Sequence, residues 1–260
     1  MPSLLLSKST PFDFVAVAQV LAGVHKIPFV DAIHVAKRGW GILAEGATEE
    51  KARELQDVFT QAGFETQTVQ AELASILSAQ FISSMKFEGS RIFCTLKIGQ
   101  TIVEVSPEDV SLLSGCIFPE EHSVTVTKKE GPSAGQKMAS IGILLATGIP
   151  VHIGPKKKTI EKKQNVSETV YFLDIYVNGA ARHFRVAGHQ FDYSCLGTKK
   201  QYNIAANFKT LTKELANLTP RARKGRGTHL LVQDKPISEM GYRSLDDLDH
   251  ESRWLLSLGI

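Results

Sequence analysis

The sequence predicts an α+β chain: a βααβαβ sandwich over residues 1–70, followed by an antiparallel sheet with C-terminal helices over 71–260. Three observations carry that expectation. Helix-start and helix-stop signals bracket three amphipathic segments in the first domain. Short apolar runs separate those segments, as buried strands would. The remainder is dominated by β-branched and aromatic runs joined by tight turns. With 260 residues, 43% of them hydrophobic and 22% charged, the chain can bury two cores and is neither disordered nor collagenous.

Ser3 to Ser7 is an apolar run suited to a buried strand. Thr10-Pro11-Phe12-Asp13 then reads as a helix start: a capping hydroxyl, a proline that loses no amide bond at the first helical position, and an acid that complements the dipole. Val15, Val17, Ala18, Leu21 and Ala22 form one face of that helix. Pro28 opens a second helix, with Phe29, Ala32, Ile33 and Ala36 at helical spacing and Gly39 in the position of a left-handed C-cap. Ile42-Leu43-Ala44 forms a short strand. Thr48 caps a third helix with Glu49 and Glu50 in its first turn, Ala52, Leu55, Val58 and Phe59 inside, and Gly63 at its end. Phe64 to Val69 alternates as a strand.

The segment Ala44-Glu45-Gly46-Ala47-Thr48-Glu49-Glu50-Lys51-Ala52-Arg53-Glu54-Leu55, continuing to Gln61-Ala62-Gly63-Phe64-Glu65, resembles the C-terminal domain of the bacterial ribosomal stalk protein. The similarity covers roughly Ser3 to Gln70 and implies the compact α/β sandwich that the stalk domain shares with the Clp-protease adaptor. The stalk family recruits translation factors through a Gly-Leu-Gly-Leu turn and lysines on the two flanking helices. Here the turn reads Lys26-Ile27-Pro28-Phe29, and the basic positions correspond to Phe14, Gln19, Ala22, Val30 and Ile33. The resemblance therefore implies the fold, and not the basic factor-binding face.

Glu72 to Met85 is compatible with a linking helix or with entry into a strand. Arg91 to Lys97 and Thr101 to Val105 read as strands flanking a turn at Ile98-Gly99-Gln100, after a turn at Phe87 to Ser90. Ser106-Pro107-Glu108-Asp109 repeats the helix-start signature, predicting a brief helix through Leu112 and Leu113 to Gly115. Ser123 to Thr127 alternates as a strand, and Lys128 to Pro132 reads as a loop. Met138 to Pro155 lacks Asp, Glu, Lys and Arg; Ala134 to Thr147 reads as a buried helix, followed by a strand at Val151-His152-Ile153. That helix would span about 21 Å at 1.5 Å per residue, short of the ~30 Å of a bilayer core. Thr169 to Val177 and Ala181 to Ala187 form a hairpin about Asn178-Gly179, which supplies two positive-φ positions. Ile204, Phe208, Leu211, Leu215 and Leu218 line a helix ending at Pro220. A last helix spans 245–258, with a Ser244/Asp247 capping box and Leu248, Trp254, Leu255 and Leu258 on its apolar side. In architecture alone this half resembles bacterial pleckstrin-homology-like domains.

Cys94, Cys116 and Cys195 are odd in number and form no CxxC pair, which points to reduced thiols in a cytoplasm. The opening residues do not read as a secretory leader. No HExxH or HxH spacing predicts a metal site, and Gly131 to Lys137 departs from a phosphate loop in glycine spacing and in having Met138 after the lysine, so no cofactor is expected. The densest reactive cluster runs from His183 to Cys195. It raises the alternative of an enzyme using His189, Asp192 and Cys195, with His183 as a second candidate base.

Net charge is only +3, too small to announce a nucleic-acid binder, yet the positive charge is segregated. Lys156, Lys157, Lys158, Lys162 and Lys163 form one basic segment, and Arg221, Arg223, Lys224 and Arg226 another; both read as loops able to meet an acidic partner, a nucleic acid or an anionic membrane surface. The expectation that best unites these readings is a non-enzymatic bacterial adaptor of the cytoplasm whose partner is another protein.

Overall fold

The computed structural model describes residues 2–7, 13–70, 73–129 and 159–258, with the backbone alone at 121–129 and 159–166. It is an α+β protein with a small antiparallel sheet and a larger mixed one. The contacts divide the chain into one unit of residues 1–119 with 169–260 and a second of residues 120–168.

The small sheet has β1 (Ser3–Leu6) at its centre, between β2 (Ile42–Ala44) and β3 (Thr66–Val69), both antiparallel to it. Helices α1 (Phe14–His25), α2 (Phe29–Gly39) and α3 (Glu49–Gln61) complete the βααβαβ order. Thr48 caps α3 through a bond from the Lys51 amide. Two local expectations are corrected. The cap of α1 is Asp13, which accepts from the Val15 amide at 2.8 Å, whereas Thr10, Pro11 and Phe12 lie outside the described residues. The positive φ after α2 falls on Trp40 (φ 51°), not on Gly39. Tertiary packing overrides glycine's preference there: the Trp40 indole stacks on Tyr242 at 4.9 Å and meets the edge of Phe14 at 5.3 Å.

The large sheet has the order β10-β7-β8-β9-β4-β5-β6. Its strands are β4 (Gln80–Glu88), β5 (Arg91–Leu96), β6 (Ile102–Val105), β7 (Val110–Lys129), β8 (Thr159–Val177), β9 (Arg182–Ala187) and β10 (Arg223–Lys224). The expected antiparallel sheet is in fact mixed, because β4–β9 and β10–β7 pair in parallel. The ambiguous stretch before β4 is irregular over residues 73–79. The brief helix expected after Ser106 is one 3-10 turn, Pro107–Asp109, and Val110 then opens β7. Residues 112–118 are buried without a break, so this strand is covered on both faces and never needed the polar stripe of a helix. Lys128 and Lys129 likewise belong to β7, and Thr159 to Lys163 to β8, rather than to loops. The helix and strand expected at 134–153 lie outside the described residues.

The hairpin between β8 and β9 has a four-residue loop, 178–181, with positive φ at Asn178 and Gly179, so β9 begins at Arg182 rather than Ala181. The connection from β6 to β7 is four residues long and reaches at most about 18 Å. Five strand spacings separate those two strands in the sheet, about 24 Å if it were flat. The sheet must therefore curl, bringing the end of β6 toward the start of β7; Asn178 N–H donates to Asp109 O at 2.8 Å, joining the residue after β8 to the residue before its neighbour β7.

Helices α4 (Ile204–Leu218), α5 (Arg226–Val232) and α6 (Leu245–Ser257) cover this sheet. In the capping box of α6, Ser244 accepts from the Asp247 amide at 3.4 Å, but the Asp247 carboxylate turns to Arg243 instead of Ser244. The division expected at residues 70/71 falls between the two sheets. One apolar core nonetheless includes Leu5, Val17 and Trp40 together with Leu173, Phe208 and Trp254. Trp254 is one link: its Nε1 donates to Leu6 O at 2.9 Å, and its ring lies where a Cβ on Gly41 would be, so only glycine fits position 41.

Candidate functional site

Alternation along the β8–β9 hairpin sends Leu173 and Ile175 to one face and Asp174 and Tyr176 to the other, opposite Arg185 and His183. Arg185 grips Asp174 with two bonds, Nε to Oδ1 at 2.7 Å and Nη2 to Oδ2 at 2.6 Å. The same Nη2 donates to Asp249 Oδ1 on α6 at 2.8 Å. His183 stacks on Tyr176 at 4.3 Å, places Nδ1 2.9 Å from Leu77 O, and brings Nε2 within 3.0 Å of Asp174. Burial alone would raise the Asp174 pKa, but the Arg185 and His183 contacts outweigh it and hold the carboxyl below its ordinary value. Asp249 is shifted the other way: burial raises it, and Arg185 compensates only in part.

Asp249 also lines a cavity of about 740 Å³ beside Ala74, His250 and Arg253. On the same cavity, Arg253 forms a two-pronged pair with Glu45, one arm at 2.9 Å, and the His250 Nδ1 is engaged with Arg38 O at 2.7 Å. The polar groups of this cavity are thus already engaged: Arg253 with Glu45, Asp249 with Arg185 and His250 with a backbone carbonyl.

A second polar cluster joins α5 and α6 to β7. Glu251 accepts from the Arg226 amide at 2.7 Å, from the Tyr242 hydroxyl, and from Ser114 Oγ at 3.5 Å. Tyr242 in turn accepts from the Gly227 amide at 3.0 Å. Burial pushes the Glu251 carboxyl up to about 7, against those bonds. A Cβ at position 227 would fall 1.9 Å from Gly115 O, so this junction needs glycine for close approach.

The candidate catalytic residues separate in space. Asp192 and Cys195 line an open groove of about 610 Å³ against β4 and β5, and His189 is not among its lining residues. The His189 Nε2 is engaged with Thr169 O at 2.7 Å, and Asp192 accepts from the amide and hydroxyl of Ser194. Burial, reinforced by Asp192, pushes the Cys195 thiol up to about 11, away from the thiolate. His183 is buried in the Asp174 network.

Of the basic residues, Lys156, Lys157 and Lys158 lie outside the described residues, while Lys162 and Lys163 are placed in β8. Arg221 is exposed at a cavity of about 480 Å³. Arg223 and Lys224 are β10, with Arg223 Nη1 donating to Leu255 O and Lys224 Nζ to Ala222 O. Arg226 opens α5, bonds Glu239 O and lies 5.7 Å over the Phe14 ring. The second basic segment is therefore largely absorbed into secondary structure.

Among the described residues, exposed large apolar side chains occur on α1 and α2, which turn back on each other with a bend of 117°. Between Phe14 and Val24, α1 contains no Asp, Glu, Lys or Arg. Val15 is 47% exposed, and Phe29 and Val30 at the start of α2 are 43% and 66% exposed. Of the residues expected at the basic positions, Gln19 and Val30 are exposed, while Phe14, Ala22 and Ile33 are half-buried. Among the described residues no single helix is long and apolar enough to cross a membrane.

No protein family, no curated protein and no solved structure matches this chain.

Proposed function

We propose that this chain is a non-enzymatic protein-interaction protein of the bacterial cytoplasm that docks a partner on α1 and α2. The observation that carries this reading is the uncharged run of α1, on which Val15 is exposed, followed by Phe29 and Val30 exposed at the start of α2. Large apolar side chains grouped on neighbouring elements mark interaction surfaces more often than single exposed ones do. The stalk-like element order adds to the reading: its two helices are the factor-binding helices of that family, here with neutral and apolar residues in place of lysine. The partner chemistry that fits is an apolar surface, not an acidic one. Full burial of each such side chain is worth about 1.5–3 kcal/mol.

The test is quantitative affinity purification from the native host with the full chain and with the double variant Val15→Glu/Val30→Glu. Both positions are exposed, so the variant should melt at the wild-type temperature. The expected result is a specific protein recovered with the wild type and reduced at least about tenfold with the variant, then reproduced with the two purified proteins. Recovery of every bound protein unchanged by the variant overturns the proposal.

A further inference from the structure

The two edges of the large sheet are finished differently. At one edge, β10 is two residues long and charged, and it is tied down by Arg223 to Leu255 O. That is how natural edges are guarded. At the other edge lies β6, and among the described residues no strand covers its outer side. It carries Ile102 at 65% exposure, and the preceding hairpin tip carries Ile98 at 88%. Its one charge, Glu104, pairs with Arg91 of β5 at 3.1 Å on exposed surface, which screens the charge without removing it.

The ladder shows which backbone groups β6 offers. Leu96 N–H donates to Thr101 O, so residues 101, 103 and 105 turn their backbone groups toward β5. Ile102 and Glu104 therefore direct N–H and C=O outward. In an antiparallel pairing with an identical strand, these groups meet in one well-matched register. Val103 sits on the two-fold axis opposite itself, and Ile102 exchanges both bonds with Glu104 of the second copy, giving four hydrogen bonds in all. Centring on Glu104 would set two carboxylates side by side. Centring on Ile102 would need Gln100, whose φ of 51° takes it out of the strand.

We propose that this chain forms a two-fold dimer by antiparallel pairing of β6 with β6 of a second copy, Val103 lying on the axis. The register makes a sign prediction that a general edge effect does not. A charge at 102 faces Glu104 of the other copy twice per dimer, and opposite- or like-charge cross-strand pairs strengthen or weaken association accordingly.

The experiment is sedimentation equilibrium of the full chain from about 1 to 100 μM, with Ile102→Glu and Ile102→Lys, plus oxidative crosslinking of Val103→Cys in a Cys195→Ser background. Cys94 faces position 103 across the β5–β6 ladder, so the crosslinking variant also carries Cys94→Ala; Cys116 is buried, position 102 is exposed, and folding is checked by thermal melting. The expected result is a reversible wild-type dimer, roughly tenfold weaker association for Ile102→Glu, several-fold tighter association for Ile102→Lys, and a disulfide-linked Val103→Cys dimer. A wild-type monomer throughout that range, Glu and Lys variants shifted in the same direction or not at all, or no crosslink at 103 overturns the proposal.

Discussion

Asp174 and Glu251 are both carboxylates without exposed surface, yet their surroundings drive their acidities in opposite directions. Asp174 is met by a guanidinium, so its charge is retained and its pKa is held low despite burial. Glu251 is met by a phenol, a serine hydroxyl and a backbone amide, and burial prevails, raising it to about 7. Hydrogen bonds from neutral donors satisfy a buried carboxylate's lone pairs without replacing the counter-charge that water supplied. The contrast separates two kinds of stability in one molecule: an ion-paired link from sheet to α6, and a titratable link that fastens α5 to α6.

The strongest way to break the comparison is to remove the cation. Arg185→Ala leaves Asp174 buried with an uncompensated charge, and urea unfolding at pH 7 should show a loss of about 3–5 kcal/mol. Arg185→Met combined with Asp174→Asn should recover much of that loss, since the cost lies in the orphaned charge rather than in the missing bond. A small effect of Arg185→Ala would mean that water or the His183 contact alone compensates Asp174.

The second prediction uses pH. Glu251 has a folded-state pKa above its unfolded value of 4.5, so its contribution is full below about pH 4.5 and is lost as pH rises through about 7. At 1.36 kcal/mol per unit, the loss across that window is about 3 kcal/mol. Asp174 behaves inversely: its contribution is present above the ordinary carboxylate value and is lost as pH falls through its depressed one. Stability curves for the wild type and Glu251→Gln should therefore diverge between pH 5 and 8, the variant being flatter, and should run parallel below pH 4. Parallel curves between pH 5 and 8 would place Glu251 in a better-solvated site.

Legibility in the sequence followed the range of the interaction. The βααβαβ elements were readable because their caps and apolar stripes are local, as with Thr48 and the buried Ala52, Leu55 and Phe59. Where a local signal competed with packing it misled: Ser106-Pro107-Glu108-Asp109 starts one 3-10 turn, and the buried strand beyond it takes over. The Asp174 network was half readable. A hairpin about Asn178-Gly179 puts Asp174 on one face with His183 and Arg185 whether the loop has two residues or four, because a shift of two preserves the face. Asp249 and Glu251 were not readable, since their partners lie 64 positions away at Arg185 and 137 away at Ser114. The cluster from His183 to Cys195 drew attention by sequence proximity, and the 3-10 turns after β9 disperse it.

A third prediction tests the neutral side of the comparison without touching a charge. Thr228 on α5 accepts from the Gly115 amide at 2.8 Å and donates to Leu113 O at 3.0 Å, all within the buried junction. Thr228→Val keeps the shape and strands a backbone N–H, so thermal unfolding should show a loss of about 1–3 kcal/mol. Because no titratable group is removed, the pH slope assigned to Glu251 should persist. A flattened slope in this variant would mean that the junction opens as a unit.

The smallest effect belongs to a carboxylate with neither burial nor scarcity of cations. Asp234 is drawn down to about 2 by bonds from Lys209 and Lys213, the latter at 2.7 Å, yet it stands in full solvent. Its contribution is present above the ordinary carboxylate value and fades as pH falls toward 2, the same sign as for Asp174. Solvent screening separates the two: the Debye length shrinks to about 3 Å at 1 M salt, comparable to the pair's own separation. Asp234→Asn should therefore lower the melting temperature slightly at low ionic strength and not at all in concentrated salt, whereas the Arg185→Ala deficit should survive salt. Equal salt sensitivity in the two variants would show that solvent reaches Asp174 and would remove the distinction on which the first prediction rests.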